Sequence, residues 1–149
     1  MNLTTKGRYA VMAMVDLAMQ KTDKPVSLSD IAERQGITLN YLEQIFMKLR
    51  RAGIVKSVRG PGGGYVMNSK GSDIIISDIV TAVDESIKMT RCKDGHSCLG
   101  ENAKCVTHKL WVGLGKQIDN YLSAITLADV CGNSDNLVNK QKVVSIKNG

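Results

Sequence analysis

The sequence predicts a mainly α-helical protein with one small β-hairpin wing, a winged helix-turn-helix followed by a long C-terminal helix. Three observations carry that expectation. Two amphipathic segments meet at Gly36, the second longer than the first. A β-branched alternating run, Ile54 to Arg59, leads through Gly60-Pro61-Gly62-Gly63-Gly64 into a second short run, Tyr65 to Met67. Beyond Lys104, apolar residues recur at helical spacing over about twenty positions.

The first helix is expected from Thr5 to about Gln20. It is apolar on nearly every face, which suits a buried central element. Pro25 breaks the chain after it. Ser27 and Asp30 form a capping box that opens a second helix with Leu28, Ile31 and Ala32 inward, and Gly36 ends it. Thr38 is expected to cap a third helix that runs to Arg51, with Gly53 as its stop.

The third helix sorts into two faces. Leu42, Ile45, Phe46 and Leu49 fall at core spacing, and Asn40, Glu43, Gln44 and Met47 fall on the outer side. Amide side chains suit adenine and a carboxylate can accept from cytosine, so this outer face can read base edges. The hairpin that follows is then the wing. Its glycines bring backbone N–H groups close to phosphates, and Arg59 at the base of the tip can enter a neighbouring minor groove. A nucleotide-binding glycine loop is excluded because a strand, and not a helix, follows the glycines.

Charge agrees with this placement. The 149-residue chain carries a net charge of +6. Residues 1–70 hold eleven Lys/Arg against five Asp/Glu, and residues 71–149 hold nine of each. All the excess positive charge lies where a polyanion is expected. No apolar run reaches the roughly 18 residues that span a bilayer, and the N-terminus lacks the apolar core of a signal peptide. A cytoplasmic protein with no membrane association is expected.

In the C-terminal half, Ile74 to Ile76 reads as a short strand or linker. Ser77 is expected to cap a helix to about Glu85 that buries Ile79, Val80 and Val83. Lys88 to Lys104 is polar and reads as an exposed loop. Cys105 to about Ile125 reads as one helix of about 30 Å. Its stripe of Leu110, Trp111, Leu114, Ile118, Tyr121, Leu122 and Ile125 suits a second copy of the chain, since helix-turn-helix proteins usually read two half-sites as dimers. The domain plan is therefore residues 1–87 for a DNA-binding domain (helix-turn-helix about 28–51, wing about 54–67). Residues 88–104 form a metal-binding loop, 105–131 a dimerisation helix region and 132–149 a flexible tail.

Cys92, Cys98, Cys105 and His108 are separated by five, six and two residues. Three thiolates and an imidazole are enough for a 2Fe-2S cluster or for one tetrahedral zinc. The wide gaps favour the cluster, because zinc sites usually supply closely spaced cysteine pairs. His96 is a rival fourth ligand, and Cys131 reads as a packed or free thiol. A Cys–His nucleophile is set aside, since no oxyanion element or enclosing pocket accompanies it. Neither catalytic residues nor a small-molecule substrate are expected, and the protein is not read as an enzyme.

From Met1 to about Leu127 the chain resembles the winged-helix family of transcription regulators that sense iron–sulfur clusters. The segments that carry the resemblance are Leu3 to Ala10, Tyr41-Leu42-Glu43-Gln44, Val58 to Tyr65, Ala82 to Ser86, and the Cys92-to-His108 site. The resemblance implies a homodimer with one 2Fe-2S cluster per protomer, held by Cys92, Cys98, Cys105 and His108. It implies cluster-dependent control of iron–sulfur assembly genes, the protein's own operon included, and binding of a second class of DNA site without the cluster. The DNA-contacting set is then Asn40, Tyr41, Glu43, Gln44, Arg50, Arg59, Gly60, Gly62 and Gly63. The gap between Cys98 and Cys105 is one residue longer than the family pattern, and Asn40 stands where serine is common. His108 sets the chain apart from a nitric-oxide-sensing branch that shares the three cysteines. A structural zinc, a nitric-oxide- or redox-sensing cluster, and a protein-interaction module remain the alternatives.

Overall fold

The computed structural model describes residues 5–83, 105–132 and 137. Among them the order is α1 (Thr5–Met19), α2 (Leu28–Gln35), α3 (Leu39–Arg51), β1 (Val55–Val58), β2 (Gly64–Met67), α4 (Ile76–Ala82), α5 (His108–Ser123) and α6 (Leu127–Cys131). The mainly helical class and the two-stranded wing agree with the sequence. The segment with Cys92, His96 and Cys98, the expected extension of α4 to Glu85, and the tail apart from Gly132 and Leu137 lie outside the described residues.

The central helix is α1. Gly7, Ala10, Ala13, Met14 and Leu17 are buried, and the small side chains among them let α2, α4 and α6 pack closely. Met12 and Met19 are exposed, so α1 is not enclosed on every side as its composition suggests. One outward face stays in solvent because α2, α4 and α6 leave it uncovered.

The turn between α2 and α3 forms as expected. The Ser27 hydroxyl accepts from the Asp30 N–H at 3.2 Å, although the Asp30 carboxylate makes no return bond and the capping box is only half formed, and Gly36 ends α2 in the left-handed conformation with φ 64°. Thr38 holds the N-cap position of α3, but its side chain makes no capping bond. The fourth position of that turn is Tyr41, so no acid stands there to return one. Leu42, Ile45, Phe46 and Leu49 are all buried, as their spacing demands. Each such side chain contributes roughly 1.5–3 kcal/mol on leaving water.

The strands β1 and β2 are antiparallel, paired from Val55 with Met67 to Val58 with Gly64. The wing is anchored twice. Val26, ahead of α2, exchanges two backbone hydrogen bonds with Tyr65, of 2.8 and 3.0 Å. A side chain at Gly64 would collide with the Val26 carbonyl in that close approach. The Tyr65 ring also meets the buried Phe46 ring of α3 at 4.9 Å between centroids.

The C-terminal half departs from the sequence reading at two points. Ser77 is not a cap: the N-cap of α4 is Ile75, and Ser77 lies buried inside the helix. Ile75 is held extended by a bridge to Thr126, which moves the helix start forward. The long helix is also divided. It runs for sixteen residues from His108 to Ser123, about 24 Å, and then stops. Ile125 leaves the expected stripe and is buried in the winged core, and Thr126 opens α6 with a complete capping box to Asp129. The Ile76 N–H donates to the Ile125 carbonyl at 2.9 Å and the Leu127 N–H to the Ile74 carbonyl at 2.8 Å. The C-terminal end of α5 is thus bonded into the same core that supports α3.

Candidate nucleic-acid interface and metal centre

The outer face of α3 is exposed at Asn40, Glu43, Gln44, Met47, Arg50 and Arg51. None of these side chains is drawn into the core, because the four buried positions occupy the opposite side of the helix. Tyr41 lies at the edge between the faces. It is half-buried, with its ring edge-on to Tyr9 of α1 at 5.7 Å. Arg50 reaches from the end of α3 towards the wing, where its Nη1 donates to the Ser57 hydroxyl at 3.4 Å. That contact brings a guanidinium to the junction of α3 and the hairpin.

The wing tip, residues 59–63, is exposed from Arg59 to Gly62. Gly60 and Gly62 take φ values of 105° and 73°, and the Gly63 N–H donates to the Gly60 carbonyl at 2.9 Å. A side chain at Gly63 would strike the Val58 carbonyl. The tip can therefore turn this tightly only with glycine, and the turn leaves a low ridge of backbone. Lys56 and Arg59 line this hairpin and extend the positive surface that begins at Arg50 and Arg51. The candidate interface residues of both elements are thus presented to solvent from a helix and a hairpin that share one core.

The orientation of the helix-turn-helix depends on a group the sequence reading missed. Asp16 of α1 is buried, with its carboxylate facing the end of α2. Arg34 donates to it from Nη2 at 2.7 Å and from Nε at 3.1 and 3.2 Å, and Gln35 donates at 2.8 Å. Gln20 donates to the same carboxylate at 3.3 Å. Burial pushes the Asp16 pKa up, but the bonds from Arg34 and Gln35 and the charge of Arg34 outweigh it, and the carboxyl titrates below its ordinary value. Arg34 is consequently a structural cation of α2. The available signal was a lone aspartate inside an otherwise apolar helix, which must find a partner once buried.

The described part of the candidate metal centre lies at the opposite end of α5 from its bonded terminus. Cys105 is half-buried just ahead of the helix, with its Sγ 3.6 Å from the Thr107 hydroxyl. His108 is the first residue of α5, and its backbone N–H donates to the Cys105 carbonyl at 3.0 Å. One turn therefore carries a thiol and an imidazole at the surface, a donor pair that fits a thiophilic metal centre. The two other cysteines and His96 lie outside the described residues, which on their own bring together no set of three or more metal-binding side chains. Cys131 ends α6 half-buried against the core, and burial pushes its thiol pKa up.

Along α5 no residue is buried. Leu110, Trp111 and Leu114 are exposed, whereas Tyr121 and Leu122 pack against the core. The apolar stripe is thus open at the end that carries Cys105 and His108. No described helix is long and apolar enough to cross a membrane.

Residues 3–133 match the family model Rrf2, described as an iron-dependent transcriptional regulator. The HTH-type transcriptional regulator IscR of Yersinia pseudotuberculosis is 53% identical over 135 residues, which cover 91% of this chain and 82% of that protein. IscR of Serratia proteamaculans is 51% identical over 138 residues, covering 93% and 84%. Among solved structures, IscR of T. potens superposes with a TM-score of 0.69 at 43% identity, covering 87% of this chain and 85% of that one. CymR, the global cysteine regulator of B. subtilis, superposes at 0.72 with 31% identity, covering 88% and 96%.

Proposed function

The chain belongs to the Rrf2 family of iron-dependent transcriptional regulators, and on that premise we propose that it is a homodimer that couples a 2Fe-2S cluster to DNA binding. It is a DNA-binding transcription regulator of the IscR type and not an enzyme. The genes it controls are those for iron–sulfur cluster assembly, including its own operon, from a site in the cytoplasm. It acts there as repressor or activator according to the operator.

One observation supports this reading above the others. The turn that carries Cys105 and His108 begins the helix whose far end is hydrogen-bonded into the core behind α3. A change at the ligand turn therefore has a covalent and hydrogen-bonded route to the DNA-reading surface. Cys92, Cys98, Cys105 and His108 hold the cluster, one per protomer. When bound, it would supply a centre whose presence depends on cluster supply, held by three thiolates and one imidazole. His108 must be neutral to serve as a ligand, which makes its hold weaker than that of a thiolate and suits a cofactor that is gained and lost. Leu110, Trp111 and Leu114 bury against the same stripe of a second protomer and set the spacing of the two α3 helices.

On DNA, Asn40 and Gln44 offer amides to adenine, and Glu43 accepts from cytosine N4. Tyr41 and Arg50 steady the helix on the backbone. Gly60, Gly62 and Gly63 bring the tip's main chain to phosphate, and Arg59 enters the adjoining minor groove. The test is the iron and sulfide content of protein purified without air, with its visible absorption. About two of each per protomer is expected. Stoichiometric zinc without sulfide would replace the cluster with a structural zinc.

A further inference from the structure

We propose that Met47 is a specificity-determining residue that reads thymine, by meeting its C5-methyl group one or two base-pair steps from the base taken by Glu43. This rests on the reading of α3 as the base-reading helix.

At about 100° per residue, the buried positions Leu42, Ile45, Phe46 and Leu49 centre on one side of α3. The direction opposite that centre falls among Asn40, Met47 and Arg51, with Glu43 and Gln44 on either flank. An apolar side chain thus stands in the middle of the outward face. Met47 is 37% exposed and is not among the side chains packed on the core. Single exposed apolar residues are common on protein surfaces. This one differs by its setting, since its neighbours at i−3 and i−4 are the amide of Gln44 and the carboxylate of Glu43. Arg50 and Arg51 follow it, and the basic hairpin lies alongside. The charge around it selects a polyanion, and an apolar partner must then be found within that polyanion.

Duplex DNA offers one in the major groove, the thymine methyl. Side chains on a helix lean towards its N-terminus, so the Met47 thioether extends over the turn that carries Glu43 and Gln44. Four residues rise about 6 Å along the axis, less than two base-pair steps of 3.4 Å. An unbranched thioether also adapts to a small apolar target better than a β-branched side chain does.

The probe is a set of duplexes enriched from a random-sequence pool by the full-length wild-type protein. Each thymine is replaced in turn by deoxyuridine, which removes only the methyl group. At one position near the Glu43-dependent cytosine, wild-type affinity should fall about fourfold, the size of one buried methyl-sized group. Met47→Gln should bind the thymine and uracil duplexes alike while keeping the cytosine preference. The substitution is at an exposed position, and circular dichroism checks that the fold is retained. If Glu43→Ala leaves base preference untouched, the reading of α3 fails and this proposal falls with it. If Glu43 discriminates but no thymine is methyl-sensitive, the Met47 assignment alone is overturned. Equal methyl sensitivity in wild type and Met47→Gln overturns it as well, and gives the methyl to another side chain.

Discussion

Replacing Asp16 with alanine removes the acceptor on which Arg34, Gln35 and Gln20 converge. Hydrogen bonds to a charged group are worth about 1.5–3 kcal/mol each when shielded from water. Here the Arg34 side chain is 39% exposed and Gln20 is exposed, so solvent takes over much of what they lose. The expected cost is about 2–3 kcal/mol in all, a large share of the roughly 5–15 kcal/mol that holds a domain folded. The sign with pH follows from the depressed carboxyl. In the unfolded chain Asp16 takes up its proton near pH 3.8, and in the folded protein only at lower pH. Its contribution is therefore complete above the unfolded value and is lost as pH falls through the folded one. Urea denaturation of wild type and Asp16→Ala at a series of pH values measures both effects. The two midpoints should differ most near neutrality and draw together as the pH falls below the ordinary carboxylate range, with the urea slope unchanged. Equal stability at neutral pH, or a gap that persists undiminished into acid, would refute the assignment of Asp16 as the paired anion that fixes α2 against α1.

On DNA, Glu43→Ala should relax discrimination by roughly 1–3 kcal/mol at the affected base pair, read from titrations against a panel of duplexes, whereas a uniform change would make Glu43 a solvated bystander. Arg59→Ala should instead lose affinity chiefly at sites with a narrow flanking minor groove, measured on the same panel. Trp111→Glu places a charge in the open stripe of α5, and sedimentation should then show a monomer; an unchanged dimer would move the interface elsewhere. His108→Ala should lower iron and sulfide content more than His96→Ala does, and the reverse order would exchange the fourth ligand.

The sequence made the helix-turn-helix and wing legible because their signals are local. The Gly36 stop, the Ser27 N-cap and the spacing of Leu42, Ile45, Phe46 and Leu49 are each local signals, and each takes the expected form. The glycine tip is equally local. Asp16 was hidden because hydrophobic periodicity averages over a helix that is apolar on several faces, and its partners Arg34 and Gln35 stand a helix away. The break after Ser123 was hidden because Ile125 fits the helical stripe. It is the bridge between Ile75 and Thr126, with the Ile76 N–H donating to the Ile125 carbonyl, that holds Ile125 in the core. The Thr126-Leu127-Ala128-Asp129 capping box was present as a signal for it. Ser77 misled for the opposite reason, as a good capping residue placed where the extended Ile75 already starts the helix.

The central claim is that cluster occupancy, transmitted through α5, sets how this winged helix binds DNA. The direct measurement is a pair of anaerobic titrations of the DNA upstream of the protein's own gene, one with cluster-loaded protein and one with Cys92→Ala, at a single fixed salt concentration. If the cluster controls binding, the isotherms should lie at least about tenfold apart, a coupling of about 1.4 kcal/mol or more. Superimposable isotherms from proteins that differ in iron and sulfide content would contradict it.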